Sequence, residues 1–232
     1  MLFRTAVVCS LPCLLSAAAS AEPGVFRTLY TKADFPLTAD PRSEVWAAAP
    51  SVTTSQDRYG KPVPGAETTI RSRWTGRHLY FLFVSRYETL HLKPNPSKEE
   101  TWGLWDYDVV EVFIGHDFEK IHLYKEFEVS PQNEWVDLDV DKSRGEGKSV
   151  DWKWNSGFES RTRIDESSRT WICEMRIPWT SIDVRTPRAG NELRLNLYRI
   201  EGAPPNRKFI AWQPVHAQSY HTPERFGRLR LE

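Results

Sequence analysis

Apolar and polar positions alternate with a period of two along most of this chain, and several segments do so cleanly. Val110, Val112 and Ile114 alternate with Glu111, Phe113 and Gly115, the pattern of a strand that buries one face. Farther on, two such segments are joined at Ser130-Pro131-Gln132-Asn133. Their alternation assigns Phe127, Val129, Val136, Leu138 and Val140 to one face, and Glu126, Glu128, Trp135, Asp137 and Asp139 to the other. The runs at 157–164, 171–177, 192–200, 209–212 and 226–231 repeat the pattern. Leu79-Tyr80-Phe81-Leu82-Phe83-Val84 is a short unbroken apolar run and reads as a central strand buried on both faces. The segment 68–74 precedes it through a tight Thr75-Gly76-Arg77 connection, after a turn-rich stretch at 60–65. Pro178-Trp179-Thr180-Ser181-Ile182 reads as one helical turn with proline at its first position.

Many short strands with frequent turn signals and little helical periodicity predict an all-β fold, a single antiparallel β-sandwich of jelly-roll type. The expected core holds Val110, Val112, Phe127, Val129, Trp171, Cys173, Met175, Ile177, Leu195 and Leu197. Glu111, Glu126, Glu128, Trp135, Asn196 and Tyr198 are expected on an outer, solvent-facing sheet surface. Cross-strand neighbours stand about 5 Å apart, so such a row is contiguous. An ordinary polar outer face is the plain alternative, since antiparallel sheets usually have one.

Residues 1–21 are set apart from the fold. Arg4, an apolar stretch from Ala6 to Leu15 and the small-residue site Ala19-Ser20-Ala21 form a secretory signal, with cleavage expected before Glu22. Pro12 before Cys13 speaks against a lipoprotein signal, and the apolar stretch is too short to span a bilayer. Residues 22–232 then form one exported domain, periplasmic or secreted, with no membrane span. Lys+Arg and Asp+Glu balance at 31 each, and no basic stripe of the kind that binds nucleic acid is present. Cys9 and Cys13 fall in the signal, which leaves Cys173 without a disulfide partner; it reads as a small core residue.

The ten tryptophans all lie beyond the signal, more aromatic surface than a core of this size would usually need. Trp105 and Tyr107 precede the strand that carries Glu111. A ring stacks on the C–H face of a pyranose, and a carboxylate accepts hydrogen bonds from its hydroxyls. Tyr220, on the loop before a final strand opened by Phe226-Gly227, offers a second ring, and His221 a donor to a hydroxyl. Asp137, Asp139 and Asp141 share one strand face, but ligands along a straight strand spread over about 13 Å, too far for one calcium ion. One of them at most would join a calcium site.

With these landmarks in place, the chain resembles the family 9 carbohydrate-binding modules and their exported bacterial relatives. The matching stretches are Ala39-Asp40 with Glu44-Val45-Trp46, the 79–84 run, Trp105 with Asp108-Val109-Val110-Glu111-Val112-Phe113, Arg176-Ile177-Pro178-Trp179, and Phe226-Gly227-Arg228-Leu229. The resemblance implies an antiparallel sandwich that binds a mono- or oligosaccharide without catalysis, in the setting of polysaccharide breakdown beside secreted glycoside hydrolases. It implies a first stacking ring at Trp105, a polar contact at Glu111 and a second ring at Tyr220, with Glu126, Glu128 and Gln218 completing the candidate carbohydrate contacts. Glu128 stands where those modules offer an arginine, and Tyr87 replaces an aspartate that looks calcium-related, which puts calcium in doubt.

The rival reading is a small glycoside hydrolase pairing Glu111 with Glu126 or Glu128, since such enzymes need two carboxyls about 5–9.5 Å apart. Asp108 is excluded as partner of Glu111 because residues three apart on a strand face opposite sides. A haem-binding module is the third reading, and it lacks facing axial ligands, Met175 being assigned to the core.

Overall fold

A computed structural model describes residues 24–145 and 147–232. The expected signal, with Arg4, Cys9, Cys13 and the Ala21–Glu22 junction, lies outside the described residues.

The described residues are almost entirely β. In chain order come β1 (Val25–Tyr30), a helical turn α1 (Glu44–Ala47), β2 (Ser51–Thr54), β3 (Gln56–Asp57), β4 (Thr68–Trp74), β5 (His78–Arg86) and β6 (Val109–Gly115). They continue with β7 (Leu123–Val129), β8 (Trp135–Asp141), β9 (Val150–Asp151), β10 (Glu159–Asp165), β11 (Thr170–Pro178), α2 (Trp179–Ile182), β12 (Glu192–Glu201), β13 (Lys208–Ala211) and β14 (Gly227–Leu231). One continuous curled sheet runs in the order β10-β11-β5-β4-β1-β14-β12-β6-β7-β8-β9, with β2 on β4 and β13 bridging β12 to β3.

The antiparallel expectation needs one correction. β1 pairs in parallel with both β14 and β4, whereas the other strand pairs are antiparallel. A parallel pair joins chain segments far apart in sequence, and no local alternation announces it. Gly227 is what lets the last strand close on the first. A Cβ there would meet the Gly24 carbonyl at 2.6 Å and the Trp212 ring at 2.8 Å.

β1 divides the sheet into two halves that face each other across one apolar core. Phe81 and Phe83 of β5, with Trp171, Cys173, Met175 and Ile177 of β11, meet Val110, Val112, Phe127, Val129, Leu195 and Leu197 of β6, β7 and β12. All ten expected core residues lie in this cluster. Burial pushes the Cys173 thiol pKa well up, which suits a packing residue. As the 79–84 run predicts, β5 is buried on both faces: Tyr80 and Leu82 pack outward beneath Trp46 and Ala39.

The second half is also covered on its outer side. There Phe113, Tyr124, Val136, Leu138, Val140, Tyr198 and Tyr220 form a second apolar cluster. This corrects the face given to β8. Val136 and Leu138 lie directly opposite Glu128 and Glu126, and so share the outer face with them, while Trp135 opposes Val129 and packs on the main core. Alternation separates two faces but does not say which is central, and here both are covered.

Candidate functional site

The outer face of β12, β6, β7 and β8 carries the candidate site. Register places Tyr198, Glu111, Glu128 and Val136 in one cross-strand row, and Asn196, Phe113, Glu126 and Leu138 in the next. The alternation of β6 and β7 thus brings three glutamates together, two of them on one strand and the third directly across. They were expected in solvent. Instead Glu111 is 2% exposed, Glu126 3% and Glu128 1%, because two loops fold over this face.

The first loop descends from β5 and is tied down at Glu134. Its Oε1 accepts from Lys93 Nζ at 2.9 Å, Ser97 N at 2.8 Å and Thr101 Oγ1 at 3.2 Å. Thr101 N donates to the Trp135 carbonyl at 2.9 Å. Gly103 then turns the chain with φ +82°, a conformation that favours glycine, into a short 3-10 turn, Leu104–Asp106. The outcome is an aromatic wall. Half-buried Trp105 meets Trp102 edge-on at 4.8 Å between ring centroids, and Trp102 meets Trp152 at 5.8 Å. Arg207 braces the wall by donating to the Trp105 and Tyr107 carbonyls.

The second loop, between β13 and β14, carries Gln218, Tyr220 and His221. His216 N donates to the Arg58 carbonyl at 2.8 Å, and the Arg58 guanidinium donates to the Gln218 carbonyl and lies 4.4 Å from the Phe209 ring. Tyr220 is buried rather than free. Its ring stacks on Tyr198 with centroids 3.9 Å apart, and its hydroxyl donates to the Ile210 carbonyl at 3.1 Å. The Tyr198 hydroxyl in turn accepts from Asn196 Nδ2 at 2.8 Å and donates to the Tyr220 carbonyl at 3.1 Å. One face of the expected second ring is therefore already used in packing.

Between the loops lies a cavity of about 310 Å³, the size of a small-molecule site. Its lining includes Trp105, Glu111, Glu126, Glu128, Gln218 and Tyr220, the six residues singled out from sequence. The remaining lining that matters here was not anticipated as such: Arg58, Trp102, Phe113 and Phe209. Phe113 was readable, since it shares Glu111's phase on β6. Trp102 stands three residues before Trp105, on the same loop. Arg58 directly follows β3 and Phe209 lies in β13, which no local pattern links to this face.

Burial pushes the Glu126 carboxyl up to about 8, and the Glu111 charge adds to this. Glu111 and Glu128 are pushed well above the ordinary carboxylate range by burial first and neighbouring acids second. The Glu126 and Glu128 carboxyls hydrogen-bond each other, as two acids can when one keeps its proton. One oxygen of each glutamate, Oε2, has no hydrogen-bond partner. His221 Nδ1 and the Tyr124 hydroxyl share a hydrogen bond of 2.7 Å. His221 lies 3.8 Å from Glu126 Oε2, too far for a hydrogen bond, and burial pulls its pKa down to about 4, so the ring is neutral and the two do not form an ion pair.

The aspartate ladder of β8 is engaged elsewhere. Asp137 accepts from Ser156 N at 2.6 Å, Asp139 pairs with Lys125 at 2.5 Å, and Asp141 accepts from Ser143 and Arg144. Among the described residues no cluster of three or more His, Cys, Asp and Glu side chains is arranged to hold a metal ion. No described helix is long and apolar enough to cross a membrane.

Residues 40–232 match the family described as "Carbohydrate family 9 binding domain-like". An extracellular protein of Arthroderma benhamiae is 28% identical over 180 residues, which is 73% of this chain and 79% of that relative. Endo-1,4-beta-xylanase A of Thermotoga neapolitana is 24% identical over 194 residues, 81% of this chain but only 16% of the xylanase. Among solved structures, a family 9 carbohydrate-binding module of Caldicellulosiruptor kristjanssonii in complex with cellotriose superposes with a TM-score of 0.65 at 15% identity, covering 90% of this chain and 93% of that one. At that identity the likeness is one of fold.

Proposed function

The chain belongs to the carbohydrate family 9 binding domain-like family, and on that premise we propose that it is an exported, non-catalytic protein that holds a mono- or oligosaccharide in the cavity on its outer face. The observation that carries this reading is the joining of an aromatic wall to a floor of buried carboxyls with unfilled hydrogen-bonding capacity. A pyranose ring stacks on Trp105, and its hydroxyls meet Glu111, Glu126 and Glu128, with Gln218 at the rim. Tyr220 contributes an edge of the cavity instead of a free second plate, because its ring is paired with Tyr198. The cellotriose bound by the module of like fold supports the ligand class. The xylanase relative supports a setting in polysaccharide breakdown alongside glycoside hydrolases. Export rests on the Arg4-to-Ala21 signal pattern and on the extracellular relative.

Hydrolysis is the weaker reading. It needs one protonated acid and one ionised carboxylate flanking the scissile bond, with their pKa values driven apart. Burial raises Glu111, Glu126 and Glu128 together, and although the contact between the last two lowers Glu126 and raises Glu128, Glu126 still lies at about 8, so none of the three is favoured as the ionised partner near neutral pH.

Calorimetric titration with glucose and cellotriose, beside a hydrolysis assay on cellulosic and xylan oligosaccharides, tests the reading. Trp105→Ala is expected to weaken binding about tenfold, the loss of roughly 1–1.5 kcal/mol of ring stacking, with the melting temperature nearly unchanged. Affinity untouched in that variant would remove the stacking role. Turnover by the wild type that Glu111→Gln abolishes would turn the protein into an enzyme.

A further inference from the structure

The cavity floor is acidic beyond what a neutral sugar needs, and this deepens the saccharide reading on which it rests. Glu111 and Glu128 oppose each other across β6 and β7, and Glu126 lies on the same face two residues along. Each is at least 97% buried, each lines the cavity, and each has one fully buried oxygen, Oε2, without a hydrogen-bond partner. We propose that the bound saccharide is an amino sugar, with its primary ammonium seated among Glu111, Glu126 and Glu128. A primary ammonium carries three N–H donors and no acceptor, which suits a cavity floor lined by three carboxyl groups. A hydroxyl brings one donor and no charge.

The cations and titratable groups around the floor make their hydrogen bonds elsewhere, apart from Arg207 Nε, which is buried without a partner. Arg207 lowers the pKa of Glu111 and Glu128 through its charge, yet its hydrogen bonds go to the Trp105 and Tyr107 carbonyls and its ion pair to Asp106. Asp106 opposes it by raising Glu128. Arg58 is held by the Gln218 carbonyl and the Phe209 face. His221 is neutral against Tyr124, and the hydroxyls of Tyr198 and Tyr220 already donate to carbonyls. Among the described residues no basic side chain is hydrogen-bonded to the floor. The half-buried Trp105 ring beside it adds a face that attracts a cation.

Proton balance follows from the same geometry. In the free protein burial and mutual repulsion bias the three adjoining acids toward their protonated forms, with the Arg207 charge opposing at Glu111 and Glu128. An incoming ammonium supplies a counter-ion, one carboxyl ionises, and its proton leaves to solvent. Affinity for the amine therefore rises with pH while the amine itself stays charged, and affinity for a neutral sugar does not.

The test is calorimetric titration of the mature protein with glucosamine, glucose and N-acetylglucosamine, and with cellobiose against its diamino counterpart. Each runs in two buffers of different ionisation enthalpy, between about pH 5.5 and about pH 6.5, at least a unit below the range of about 7.7–8.0 for an amine beside electron-withdrawing groups. Expected is a preference of at least tenfold for the amine over its neutral counterpart. Net proton release should accompany the amine alone, and the preference should widen with pH. Glu128→Gln should shrink the preference severalfold while glucose or cellobiose binding persists. Equal or tighter binding of the neutral sugars, or no proton release, overturns the amino-sugar inference and leaves the saccharide reading standing. No binding of any of these sugars removes both. Should Glu128→Gln fail to fold, the wild-type preference and proton count decide alone.

Discussion

Glu174 and Glu128 are both buried carboxyls on outer faces of the same sheet, one on each half, and only one of them is finished. Glu174 stands on β11 beneath the segment that carries Trp46, with 0% exposure. Its Oε2 accepts from Thr38 N at 2.6 Å and Ala39 N at 2.7 Å, and its Oε1 from Trp46 Nε1 at 3.1 Å. Burial raises its pKa, and those three donors pull the other way. Glu128 stands on β7 beneath an equally aromatic cover, touches another acid, and leaves Oε2 bare. A buried polar group costs free energy unless it is hydrogen-bonded. The saturated carboxyl is explained by folding, since it pins the cover of one half-sheet. The unsaturated ones have no such folding partner, and this is the ground on which the proposed saccharide reading gives them to a ligand.

The largest expected effect comes from making the two carboxyls neutral. Glu174→Gln keeps the shape but turns an amide NH₂ toward N–H donors, and leaves at least one buried donor unsatisfied. We expect a loss of about 2–3 kcal/mol in unfolding free energy. Glu128→Gln replaces a carboxyl that is protonated in the free protein, and should change stability by under about 1 kcal/mol at neutral pH. Urea unfolding of both variants measures this. Similar losses in the two would erase the distinction between a structural and a ligand-facing acid.

The same contrast explains what the sequence disclosed. Alternation in β6, β7, β11 and β12 located the main core residue by residue, because one face of each strand meets the opposite half and must be apolar. It also put Glu111, Glu126 and Glu128 on one face. It left open whether that face meets water, since burial there depends on loops whose anchors, Glu134 with Lys93 and Tyr220 with Tyr198, bridge distant positions. Val136, Leu138 and Val140 were assigned to the wrong side for the same reason: both faces of β8 are covered. β1 gave no comparable local signal, its two parallel partners being β14 near the far end of the chain and β4, which follows only after two other strands. Trp105 stood out because an aromatic next to a carboxylate-bearing strand is a local feature. Arg58 and Phe209 did not, because only topology brings them there.

An intermediate effect is expected from pH. Glu126 has a folded-state pKa of about 8, above the unfolded carboxyl value of about 4.5, so the folded state holds the proton more tightly. Stability tied to this group is fully present below the unfolded pKa and is lost as pH rises through about 8. Glu111 and Glu128 act in the same direction. The wild-type melting temperature should therefore fall between about pH 5 and about pH 8.5, and Glu126→Gln should recover about 3–6 °C at the alkaline end while changing little at the acid end. Parallel melting curves for the two proteins across that range would mean that Glu126 titrates normally and that the floor is wet.

The smallest effect separates the two rings that flank the cavity. Tyr220 is 8% exposed, stacked on Tyr198 and bonded through its hydroxyl to the Ile210 carbonyl, so its first duty is to hold the second loop on the sheet. Trp105 is only half-buried and meets the cover edge-on through Trp102. Tyr220→Phe deletes one buried hydrogen bond and keeps the ring, which should cost about 0.5–1.5 kcal/mol of stability. Affinity for the sugar should stay within about twofold, since the hydroxyl points to a carbonyl and not to the ligand. Trp105→Phe should do the reverse, weakening binding severalfold through a smaller stacking face at nearly constant melting temperature. Thermal melts paired with titration of both variants decide it. Tyr220→Phe that binds poorly yet melts like the wild type would restore the tyrosine as a ligand contact in its own right, and the cavity would then be a two-sided clamp.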